Sequence, residues 1–127
     1  ERAKEIRSRF KVRSSDTRVL ARELSGGNQQ RLVVGRELSR LPRLLIAENP
    51  TRGLDLTATA FVRGELKRLA REAAAGVVLI STDLDEVLEL ADRIFVILRG
   101  RLTLVPSVRH SRAGVGAMML GGGPEVG

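Results

Sequence analysis

Between Ser25 and Pro42 the apolar residues Val34, Leu38 and Leu41 recur three or four positions apart, the spacing that gathers side chains on one face of a helix. Ser25 ahead of two glycines predicts the N-cap, and Pro42, which cannot continue the hydrogen-bond ladder, predicts the stop. A different pattern follows. "RLLIAEN", residues 43–49, is a continuous apolar run held between Pro42 and Pro50, which predicts a strand buried on both faces; "VVLI", residues 77–80, predicts a second. Between them Val62, Leu66, Leu69 and Ala73 stripe one side of a helix from about Leu56 to Ala75, with Gly76 as its C-cap.

The second half continues the alternation. "STDLDEVLELAD" predicts a helix with Leu84, Val87, Leu88 and Ala91 on one face, and Asp83 and Glu86 stand at the spacing of a capping box. "RIFVIL" and "LTLV" flank "RGR" and predict a hairpin that closes the sheet. Residues 1–10 read as a charged helix, residues 11–22 as a loop around "SSDT", and the tail from Ser107 as a weak helix through Met119. The terminal "GGGPEVG" is predicted to be disordered. Strands alternating with helices make the fold class α/β, a parallel sheet with helices and a C-terminal antiparallel hairpin.

Composition narrows the function classes. At 127 residues, 43% apolar and 29% charged, the chain predicts one compact unit with a core. No apolar run approaches the ~18 residues that span a bilayer, and the charged first residues do not resemble a secretory signal, so a cytosolic location is expected. Without cysteine there is no disulfide framework, thiolate metal site or thiol nucleophile. A net charge of +7 favours anionic partners, but the arginines are spread along the chain and three Phe with no Tyr or Trp offer bases little to stack on; no nucleic-acid partner is expected. His110, in the basic tail, reads as solvated, and Met118 and Met119 as packing residues.

The chemistry begins at "LSGG". A helix N-terminus presents unpaired N–H groups and the positive end of its dipole, and glycines there let a phosphate approach closely. Taken alone, Ser-Gly-Gly is also an ordinary turn and cap. The order of motifs adds to it: "LSGGNQQ" leads into a helix, a strand ends in "ENPTRGLD", and the next ends in "STDLDEV". From residue 20 to 105 this order resembles the ATP-binding subunits of ABC transporters, with a signature motif, a Walker B strand, a D-loop and a switch region. "NQQ" and "PTRGLD" resemble importers of simple sugars and nucleosides whose chains carry two ATPase halves in tandem, and this chain resembles a second half; "RLLIAENPTRGLD" leans toward the nucleoside type.

The resemblance implies roles for named residues. Ser25, Gly26, Gly27, Asn28 and Gln29 would bind ATP held on the Walker A loop of a partner half, and Asp55 would couple the two sites. Glu48 falls at the Walker B aspartate and can reach Mg²⁺ through a water. Asn49 falls at the catalytic glutamate and Thr82 at the switch histidine. An amide can orient a water but cannot take its proton, so this composite site is expected to hydrolyse poorly.

No Gly-x-x-x-x-Gly-Lys-Ser/Thr occurs, so the fold is expected to be a partial P-loop NTPase without its Walker A portion. Together with the first residue, Glu1, this predicts a piece of a longer chain: residues 1–22 a remnant of the helical subdomain, 23–105 the C-terminal part of the ATPase domain, 106–127 a tail. A sheet lacking that strand has an unpaired edge, so marginal stability and association are expected. The implied cofactors are ATP and Mg²⁺. The implied partners are the other ATPase half in a head-to-tail dimer, membrane permease subunits and, indirectly, an extracytoplasmic solute-binding protein, at the inner face of the cell membrane. Two rival readings remain. One is an ABC-type ATPase of DNA repair or chromosome organisation, against which stands the absence of heptads and cysteine; the other is an inactive scaffold fragment.

Overall fold

The computed structural model describes residues 1–122, which divide into two compact units, Glu1–Ile80 and a second beginning at Ser81, where composition predicts one. The first unit runs α1 (Arg2–Arg9), α2 (Gly26–Leu38), β1 (Leu44–Glu48), α3 (Leu56–Glu72) and β2 (Gly76–Ile80). Its centre is set by a close approach. Gly35, buried on α2, has no room for a side chain: a Cβ would lie 2.8 Å from both Ile6 Cγ2 and Phe10 Cδ2 of the α1 segment. Phe10 then meets Phe61 of α3 edge to face, with ring centroids 6.4 Å apart. Ile6, Phe10, Val12, Leu38, Leu69 and Ala75 form the buried cluster, and the stripe residues Val62 and Leu66 are buried as the periodicity predicts.

Two boundary expectations are corrected. Leu41 does not continue the stripe of α2; the helix ends at Leu38, and Leu41 is 70% exposed with φ +49°. The ring of Pro42 disfavours helical geometry in Leu41, but the helix has already ended three residues before Leu41, with Ser39 as its C-cap. Gly76 is not the C-cap of α3, whose C-cap is Ala73; Ala74 takes the left-handed turn at φ +49°, and Gly76 opens β2.

β1 and β2 pair in parallel, from Leu44 opposite Gly76 to Glu48 opposite Ile80. Burial on both faces is not found. Leu45 and Val77 pack into the helical core, but Leu44, Ile46, Val78 and Ile80 are exposed, Ile46 by 65%. Side chains alternate across a strand, so helices packed on one face leave the other set uncovered.

The second unit contains α4 (Leu84–Leu90), the antiparallel strands β3 (Phe95–Leu98) and β4 (Arg101–Leu104), and α5 (Arg112–Met119). The expected hairpin is present, its turn made by Arg99 and Gly100 at φ +49° and +76°, as a two-residue turn of inverted hand requires. It does not close the first sheet; β1–β2 and β3–β4 are separate two-stranded sheets. Ile94, Val96, Val105, Val115 and Met118 form its buried cluster, against which Leu84, Val87, Leu88 and Ala91 pack.

Met118 packs as expected, whereas Met119 is exposed. His110 is half-buried, with Nε2 3.2 Å from the Val105 carbonyl, which corrects its reading as solvated. The expected disorder of the terminal glycines lies, for residues 123–127, outside the described residues. Among the described residues no helix is long and apolar enough to cross a membrane.

Candidate functional site

The N-terminus of α2 is built as the sequence predicts, and each of its residues has a distinct task. Ser25 is the N-cap, and its Oγ accepts from the Asn28 N–H at 3.4 Å and from Asn28 Nδ2 at 3.0 Å. The Gln29 N–H reaches the Ser25 carbonyl at 2.8 Å. Of the first-turn N–H groups, which have no carbonyl within the helix, that of Asn28 is met by the Ser25 hydroxyl, leaving those of Gly26 and Gly27.

The two glycines differ in what surrounds them. A Cβ on Gly26 would meet nothing within 4 Å, whereas one on Gly27 would lie 3.2 Å from Ala58 Cβ, at the first turn of α3. Gly27 serves packing, and Gly26 leaves an open approach to the helix end. No acidic residue lies in the first turn, so no side-chain carboxylate there opposes an incoming anion.

Asn28 and Gln29, which the motif assigns to nucleotide, have side chains engaged within the chain. Asn28 Oδ1 accepts from the Arg13 N–H at 2.9 Å, and Gln29 Nε2 donates to the carbonyls of Ala21 and Leu24 at 3.1 and 3.0 Å. Together they fix the loop that leads into Ser25. A second exposed brace in that loop is Asp16, which accepts from Arg18 Nε and Nη2 at 3.1 and 3.0 Å; the Arg18 guanidinium holds its carboxyl below the usual aspartate range.

Glu48 is exposed at the C-terminal end of β1, and Asn49 follows it in the left-handed region at φ +42°, with its N–H on the Ile80 carbonyl at 2.7 Å. Asparagine is among the few residues that adopt this geometry at low cost. Asp55 is exposed and is the N-cap of α3, its Oδ1 accepting from the Ala58 N–H at 2.7 Å. Thus Ser25 with Gly27 and Asp55 with Ala58 are joined at one place, the contact of the first turns of α2 and α3.

Thr82 belongs to the second unit, exposed on the turn before α4. That turn is held from beneath. Asp83 Oδ1 accepts from the N–H groups of Asp85 and Glu86 at 2.9 and 3.2 Å, and the buried Glu86 accepts from Ser81 Oγ at 2.7 Å. The capping-box spacing finds Asp83 but gives no sign that Glu86 is buried under Ser81.

For Mg²⁺ the chain offers the single Glu48 carboxylate at this position, and among the described residues no group of three or more His, Asp or Glu could hold a metal ion. One carboxylate with phosphate oxygens and water matches how Mg²⁺ is commonly bound, so the residue fits a shared site.

Sequence comparison places these features in context. No family model matches the sequence. The chain is 46% identical over 102 residues to the guanosine import ATP-binding protein NupO of Bacillus subtilis, covering 80% of this chain and 20% of that protein. It is 40% identical over 121 residues to the nucleoside import ATP-binding protein NupA of Lactococcus lactis, covering 94% and 24%. The chain thus spans about a fifth to a quarter of these curated relatives. Among solved structures, a dimeric ATP-binding cassette in a post-hydrolysis state bound to ADP and Pi superposes with a TM-score of 0.69 at 27% identity, over 84% of this chain and 47% of that one.

Proposed function

Given that the chain carries the sequence and fold of part of an ABC-type ATPase cassette, we propose that its Ser25–Gly27 turn caps ATP bound on the Walker A loop of a partner half. The single observation that carries this reading is the open approach at Gly26 over the first-turn N–H groups of α2. A helix N-terminus carries roughly half a positive charge, and a γ-phosphate placed there gains donors that need no rearrangement to meet it. Asn28 and Gln29 act by holding the turn in place, and they need not touch nucleotide to do so.

The chain's own strand-end residues serve a weaker second site. Glu48 would hold Mg²⁺ through water, and Asn49 would orient but not deprotonate the attacking water. Turnover is fastest where this chain lends its signature turn and a partner supplies the carboxylate base. Asp55, as N-cap of the helix touching Gly27, carries the state of one site to the other.

On this reading the chain works within an importer for nucleosides or simple sugars, at the inner face of the membrane. Its partners there are the other ATPase half, permease subunits and, through them, a solute-binding protein outside. The names of its relatives favour nucleosides. The test is ATP turnover by a partner cassette that has a Walker A loop, measured with rising amounts of this chain. Turnover should rise with the chain and lose most of that gain with Ser25→Phe; turnover indifferent to the chain sinks the reading.

A further inference from the structure

Gln30, the third amide of the run, falls outside the five signature positions read as nucleotide-binding, yet its side chain makes a long-range bond within the first unit. Its Nε2 donates to the Pro50 carbonyl at 2.6 Å, across twenty residues of sequence. Pro50 is buried and Gln30 half-buried, so water competes weakly for this bond. The carbonyl it grips sits between Asn49, in the left-handed region, and the buried Thr51. Two short turn bonds also close the loop, Arg52 N–H to the Asn49 carbonyl at 3.1 Å and Leu54 N–H to the Thr51 carbonyl at 3.2 Å.

The same helix face makes two further contacts. Three residues before Gln30, Gly27 lies against Ala58; one residue after it, the Arg31 guanidinium stacks 4.1 Å over the Phe61 ring. Gly27, Gln30 and Arg31 stand at i, i+3 and i+4, so one face of α2 is fastened to the start of α3 and, between those points, to the loop. Of these three contacts, that of Gln30 engages the loop that carries both Asn49 and Asp55. Ser25 lies five residues away, about 7.5 Å along the axis of a rigid helix.

We propose that Gln30 is a positioning residue that ties the loop of Asn49–Asp55 to the signature helix, so that seating a phosphate at Ser25–Gly27 orders that loop. The relay rests on the capping reading above; the tie itself does not. A shift at the helix N-terminus strains the 2.6 Å Gln30–Pro50 bond about 7.5 Å along the axis unless the loop moves with the helix. Loss of the donor therefore uncouples the loop while leaving the Gly27 and Arg31 contacts in place.

The experiment is amide hydrogen exchange by NMR on the full chain, wild type against Gln30→Met, which keeps length and loses the donor. In the free chain the Arg52 and Leu54 amides should exchange about five-fold faster in the variant, as expected for one lost hydrogen bond. The Val105 and Val115 amides should not change. Adding an ATP-loaded, hydrolysis-deficient partner cassette should slow Asn28, Gln29, Arg52 and Leu54 in the wild type, but only Asn28 and Gln29 in the variant. Gln30→Glu, whose carboxylate repels the Pro50 carbonyl, should give the same pattern and serves if the methionine variant folds poorly. Equal free-chain exchange in wild type and variants overturns the tie. Persistent slowing of Arg52 and Leu54 in the variants overturns the relay. A wild type in which the partner slows none of the four amides sinks the capping reading and the relay with it, while the free-chain comparison still decides the tie.

Discussion

Gly27 lies against Ala58 so closely that a methyl group on it would sit 3.2 Å from the Ala58 Cβ, while its neighbour Gly26 faces open space. One glycine packs between α2 and α3; the other leaves the helix end open. Gly26→Ala should therefore leave stability unchanged or raise it by up to ~1 kcal/mol, the usual helix preference for alanine over glycine. Gly27→Ala must displace a buried neighbour and should be the less stable of the two, offsetting that gain with an overpacking cost of about 1 kcal/mol or more. Urea unfolding of both variants checks the order. The same Gly26→Ala variant should cap the partner's nucleotide worse despite its stability.

Gly35 offers a sharper case. A Cβ there falls 2.8 Å from Ile6 and Phe10 at once, and both belong to the buried cluster. Gly35→Ala should cost about 1–3 kcal/mol, in the range of overpacked cores. Adding Phe10→Leu should recover part of the loss, and thermal melts of single and double variants measure it.

Asn49, which we propose stands at the position of a catalytic carboxylate, is in a left-handed conformation, with φ +42°. Asn49→Glu should raise hydrolysis at the chain's own site when a partner completes it, because a base replaces an amide. It should also destabilise the chain by about 1 kcal/mol, since glutamate tolerates that backbone geometry less well. Turnover and unfolding measured on one preparation separate the two effects.

Asp16 titrates below the ordinary aspartate range because Arg18 bonds its carboxylate. A carboxyl whose folded pKa is depressed adds stability that is present above its unfolded pKa and is lost as pH falls through the folded one. The loop ahead of Ser25 should therefore loosen on acidification below the ordinary aspartate range. An NMR titration of the Asp16 side chain should give a midpoint below that of Arg18→Ala.

What the sequence revealed and what it hid divide by distance along the chain. The N-caps Ser25 and Asp83, the strands around Ile46 and Val78, and the hairpin turn at Arg99 and Gly100 are local features, set by residue type and period within a few positions. Gly35 against Phe10, Gln30 on Pro50, and Glu86 beneath Ser81 were illegible because each joins elements whose meeting no periodicity encodes. The exposed face of Ile46 and Val78 was misread for a related reason: an apolar run shows that a strand can be buried, not which face is covered. Of the candidate site, the order of motifs proposes Ser25, Asn49, Asp55 and Thr82. The engagement of Asn28 and Gln29 with the chain itself depends on the fold of the loop before Ser25, which no local pattern encodes.

The central claim is that Ser25–Gly27 grips a phosphate that another half holds. The most direct measurement is the affinity of this chain for a hydrolysis-deficient, Walker A-bearing partner cassette in ATP and in ADP, by sedimentation or calorimetry. The account predicts binding at least about ten-fold tighter in ATP, a difference of about 1.4 kcal/mol, and loss of that difference in Ser25→Phe. Equal affinity in the two nucleotides, or an ATP preference untouched by Ser25→Phe, would contradict it.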